Sequence, residues 1–101
     1  MTLRKTALQA IDHFGVQHQK NKAIEELGEL IVELSREQDG RTSRWTICGE
    51  IADVIIMAEQ LRIIYGGRRV DDWIEYKLRR LDALIRGEEF DDGGPEINVQ
   101  E

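Results

Sequence analysis

The chain has 101 residues, of which 41% are hydrophobic and 34% charged, with a formal net charge of −6. That is one domain with a single modest core, too apolar for a disordered chain and too acidic to favour a nucleic-acid backbone as partner. A lone cysteine excludes an internal disulfide, no apolar run reaches the roughly 20 residues of a membrane span, and the N-terminus carries no signal-peptide h-region, so the expectation is a cytoplasmic protein with no membrane partner.

The single proline, Pro95, leaves long helices permitted almost everywhere, and glycines punctuate them. The first predicted helix runs from about Leu3 to Phe14, with Ala7, Leu8, Ile11 and Phe14 on one face and Gly15 as terminator. The second runs from about Gln17 to Asp39, its stripe formed by Ala23, Leu27, Leu30 and Leu34 and widened by Ile24 and Ile31. "GRTS" is a loop in which Thr42 or Ser43 can cap the third helix, about Arg44 to Tyr65. That helix is the most apolar and is expected at the centre of the core, with Cys48 packed as a buried thiol. "GGRR" breaks it. A fourth helix spans about Val70 to Arg86, with Asp71 and Asp72 at its positive end, Arg86 at its negative end, and Ile74, Leu78, Leu81 and Ile85 as its seam. The stretch 87–101 is acidic and glycine-rich and reads as a mobile tail onto which Phe90 can dock back. The expected architecture is all-α: an antiparallel bundle of about four helices over residues 1–86, whose third helix is apolar nearly all round and is expected to need a partner chain to cover it.

Carboxylates sit where the pattern asks for apolar residues. At about 100° per residue, Glu26 lies only about 60–80° from the centre of its helix's stripe, and Glu29 roughly 60° further round. Glu25 points away, and Glu33 continues the Glu26 line. Glu50 and Asp53 repeat the three-residue spacing on the third helix, and Glu50 is in line with Val54, Met57 and Leu61. Ionised carboxylates left unpaired against a core cost several kcal/mol each, and crowding raises their pKa values further. A divalent ion resolves that conflict. An all-oxygen donor set without His or Cys selects a hard cation, Mg2+ or Mn2+, over zinc, and such an ion commonly faces a phosphate chain. The plain alternative is that each acid pair is an ordinary solvated helix face, as a lone Glu-x-x-Glu usually is.

"KAIEELGELIVEL", then "GEIADVIIMAEQLRIIYG", then "VDDWIEYKLRRL" resembles the MazG-like branch of the all-α NTP pyrophosphatases, over roughly residues 14–86. The family signature EExxE followed by ExxD is met by Glu25, Glu26 and Glu29, then Glu50 and Asp53. The resemblance implies a helical bundle that assembles as a dimer or tetramer and hydrolyses a nucleoside triphosphate between its α and β phosphates, releasing the monophosphate and pyrophosphate. It implies Glu26, Glu29, Glu50 and Asp53 as catalytic Mg2+ ligands, with Glu25 as a supporting residue or proton acceptor. Gly49 departs from members that carry a further acid there, which leaves an extra ion in question.

Cations and a base pocket complete the expectation. Trp73, Lys77 and Arg80 share one line of the fourth helix, so Lys77 and Arg80 are candidates for the distal phosphates, against a reading as surface charges. Lys22 precedes Glu26 by one turn and is either an ion-pair partner or a phosphate ligand. Gln19, by the resemblance, and Trp73 are candidates for the base pocket, and His18 and Trp45 could also stack. The competing class is a non-catalytic helical oligomer that uses the acids for structural or regulatory metal binding.

Overall fold

The computed structural model describes residues 2–90 and 93–95. They form four helices, α1 (Leu3–Phe14), α2 (Val16–Gln38), α3 (Arg44–Tyr65) and α4 (Gly67–Ile85), with no strand among the described residues. The all-α expectation therefore holds. No helix among them is long and apolar enough to cross a membrane. The chain divides into two compact units, residues 1–64 and 65–101.

In the first unit the helix ends have local causes. Thr2 caps α1 by accepting from the Lys5 amide at 3.1 Å. Gly15 closes it, its own N–H donating to the Ile11 carbonyl at 2.8 Å, and a φ of 91° lets α2 begin one residue later. At the start of α3 the expected choice of cap resolves to Ser43, whose hydroxyl accepts from the Thr46 amide at 3.2 Å. Thr42 is used differently: its hydroxyl donates to Glu33 Oε2 at 2.5 Å, which ties the loop back to α2.

Helices α2 and α3 run antiparallel. Gln19 meets Gln60, Glu26 meets Glu50 and Asp53, and Glu33 meets Thr42, so partners fall along α3 as numbers rise along α2. The buried line of α2 is Gln19, Ala23 and Glu26, continued by half-buried Leu30 and Glu33. This corrects the expected stripe. Leu27 and Leu34 are 42% and 45% exposed, and Ile24 and Ile31 are 70% and 65% exposed. Glu26 thus sits within the buried seam and not at its margin. Helix α3 is likewise not wrapped by its own chain: Ile47, Met57 and Gln60 are buried, while Ile51, Ile55 and Ile56 are exposed. Cys48 is exposed too, contrary to the packed thiol expected from the surrounding pattern.

In the second unit α4 starts three residues before the expected Val70. Gly66 alone, at φ 113°, breaks the chain, and its carbonyl accepts the Val70 amide at 3.2 Å to close the first turn. Asp71 and Asp72 consequently lie beyond the first turn and lose the end-dipole role assigned to them. Arg86 does sit at the C-terminus, paired with Asp82 at 2.7 Å. Tyr76 and Ala83 are the buried residues of α4, whereas the expected seam of Ile74, Leu78, Leu81 and Ile85 is exposed in the single chain. Phe90 does dock back, its ring 5.3 Å from that of Tyr76. The mobile tail foreseen for 87–101 otherwise falls largely outside the described residues.

Candidate metal centre

The acids of α2 and α3 converge. Glu25, Glu26 and Glu29 each offer a carboxylate oxygen within 4.8 Å of one another, and so do Glu26, Glu50 and Asp53. Glu26 belongs to both sets and links them. The first set forms around Glu29, which lies three residues after Glu26 and four after Glu25, the two spacings that make neighbours on a helix surface. The second forms because the antiparallel register puts Glu50 and Asp53 opposite Glu26.

Burial grades the group. Glu26 is 8% exposed, Glu50 is half-buried, and Glu25, Glu29 and Asp53 are exposed. Lys22 supplies the nearby cation, its Nζ 3.3 Å from Glu26 Oε1 and 3.5 Å from Glu25 Oε1. Hydrogen bonding to Glu26, followed by the charge of Glu25, raises the Lys22 pKa. The remaining oxygens, Glu26 Oε2 and Glu50 Oε2, are buried with no hydrogen-bond partner. Buried carboxylate oxygens are ordinarily satisfied, and two such orphans on acids of one cluster leave a strong demand for positive charge. The charge of Glu26, more than any other cause, raises the Glu29 pKa; desolvation and the charges of Glu50 and Glu25 add to it.

Glu33 shows what the same seam looks like when satisfied. Its Oε1 accepts from Arg36 at 3.0 Å and its Oε2 from Thr42. Although it lies on the Glu26 line, it has its own partners and stands apart from the cluster.

The other sequence candidates fall elsewhere. Gln19 is buried two turns before Glu26, and its amide is engaged: Nε2 donates to Gln60 Oε1 at 2.7 Å, and Oε1 lies 2.7 Å from His18 Nδ1. Gln60 was not among the sequence candidates. Its signal was present, since it follows Asp53 by seven residues as Gln19 precedes Glu26 by seven. Trp73, Lys77 and Arg80 belong to the second unit. There Lys77 Nζ sits 5.5 Å from the Trp73 ring centroid, and Trp73 packs edge-on against Tyr76.

Comparison of the chain with protein-family models, curated proteins and solved structures returned no match.

Proposed function

We propose that this chain is a Mg2+-dependent nucleoside triphosphate pyrophosphohydrolase of the MazG-like type, acting on dNTPs or non-standard NTPs and working as a homodimer or homotetramer. The observation that carries the reading is the pair of overlapping acid triads joined at Glu26, two of whose members, Glu26 and Glu50, each have a buried oxygen without a hydrogen-bond partner. A hard divalent cation suits that donor set, and Glu26, Glu29, Glu50 and Asp53 would hold it. When bound it would supply charge for a triphosphate to approach an acidic protein, and acidity to a coordinated water.

The chain's own groups take the remaining roles. Glu26 is fixed by the seam and by Lys22, which keeps its orientation constant. Glu29 and Glu25 lie at the exposed edge of the cluster, where a water proton can be accepted and passed to solvent. Cleavage between the α and β phosphates follows from the resemblance in "EELGE" and "EIAD". The exposed apolar rows on α2, α3 and α4 favour association with further copies of the chain.

A nucleotide panel incubated with Mg2+ and scored for pyrophosphate against orthophosphate tests the reading. Pyrophosphate together with monophosphate is the expected outcome. Orthophosphate as first product, or no turnover of any nucleotide with Mg2+ or Mn2+, sinks it.

A further inference from the structure

A cavity of about 250 Å3 lies within the first unit, walled by Leu3, Thr6, Ala7 and Ala10 of α1 and by Ile56 and Gln60 of α3. Gln60, 3% exposed, is the buried polar side chain on its wall. The hydrogen bonds behind it have a fixed polarity. Gln19 Oε1 can only accept, so the 2.7 Å contact to His18 requires the proton on Nδ1. Gln19 Nε2 then donates to Gln60 Oε1 at 2.7 Å. With its oxygen taken up by Gln19, Gln60 has only its amide donors to offer. Its Nε2 reaches the Met57 sulfur at 3.5 Å, a weak acceptor that serves one of two N–H groups. An apolar cavity with one buried amide donor on its wall is built to take a flat, largely apolar group that carries an acceptor.

We propose that this cavity seats the base of the substrate and that Gln60 meets its exocyclic edge, selecting a carbonyl oxygen, as in hypoxanthine, uracil or guanine, over adenine, whose amino group there would set a second donor against the amide. Gln60 follows Asp53 by seven residues, which places it about 10 Å further along the same face of α3. A sugar with one or two phosphates spans that gap. The identification as a nucleotide base rests on the hydrolase reading above, whereas the selection for a carbonyl rests on the cavity and Gln60 alone.

The test uses nucleosides, which carry no phosphate and need no metal. The full chain is titrated with inosine and with adenosine, which differ at the ring carbonyl, and followed by NMR at the Gln60 side-chain amide and the Ala7 and Ala10 methyls. Inosine is expected to shift these signals and to bind about tenfold more tightly than adenosine, the difference one hydrogen bond makes. Gln60→Met should lose the preference while still binding both. Ala10→Leu, which fills the cavity and leaves the amide pair intact, should lose binding of either nucleoside with its helical spectrum unchanged. Silent cavity signals, equal affinities, or wild-type binding by Ala10→Leu would overturn the proposal. So would cavity shifts that grow with protein concentration alone, because a second copy would then occupy the site. The two readings fail separately: inosine preference without pyrophosphate release removes the hydrolase, and pyrophosphate release with a silent cavity removes the base site.

Discussion

Glu26 and Glu33 occupy equivalent places on one helix face, seven residues apart, yet only Glu33 has both oxygens satisfied. The difference makes Glu26 the residue to change first. Glu26→Gln is expected to lower turnover at least about a hundredfold while leaving the helical spectrum intact, because the carboxylate shared by both triads is gone. Without metal the same variant should melt above the wild type, since a repelling charge has been removed. Saturating Mg2+ should stabilise the wild type by about 2.7 kcal/mol at a hundredfold excess over Kd, and Glu26→Gln by much less. Equal shifts in calorimetry would place the ion elsewhere. Glu29 gives a pH signature. Its folded-state pKa is raised, so the folded chain holds that proton more tightly than the unfolded chain. Metal-free stability should therefore fall as pH rises from the ordinary glutamate range through the raised value. Denaturant midpoints across that window check this, and Glu29→Gln should flatten the slope. Lys22 has the opposite charge but the same direction of shift, so its contribution is present at neutral pH and is lost only as pH climbs through its raised value.

Helix boundaries were legible because glycines and caps write them locally: α1 and α3 fall where periodicity and Gly15 or Ser43 put them. Burial was less legible. Periodicity reports which face is apolar, not which part of that face another helix covers. On α2 the covered strip is a narrow line through Gln19, Ala23 and Glu26, leaving Leu27 and Leu34 at its flank. The acid pairs could be found from their three-residue spacing, but their convergence on Glu26 depends on the α2–α3 register, which no single helix encodes. The glycines make the local energetics testable. Gly15 adopts φ 91° and ψ 153°, a region open essentially to glycine, and an added Cβ there would meet nothing within 4 Å. Gly15→Ala should thus cost about 1–3 kcal/mol through backbone strain alone. Gly28 lies inside α2 with equally open space around it, so Gly28→Ala should gain about 0.5–1 kcal/mol. Urea denaturation of the pair distinguishes the two signs.

On the scale of the molecule, the dominant fact is uncovered apolar surface. Ile74, Leu78, Leu81 and Ile85 form a continuous row on α4, with exposures of 47%, 60%, 52% and 76%. Ile24 and Ile31 form another on α2. Rows of this kind at helical spacing are what a helix presents to a partner. Sedimentation at micromolar concentration should therefore find a dimer or tetramer. Leu78→Glu should shift it toward monomer, and a stable, active wild-type monomer would contradict the expectation. Trp45 makes this measurable without a label. It is the second residue of α3 and 87% exposed. An indole in open water emits far to the red and is quenched by collision with small solutes. If assembly covers the start of α3, dilution would be recorded in the protein's own emission, with bluer, quencher-resistant light at high concentration giving way to redder, easily quenched light as subunits part.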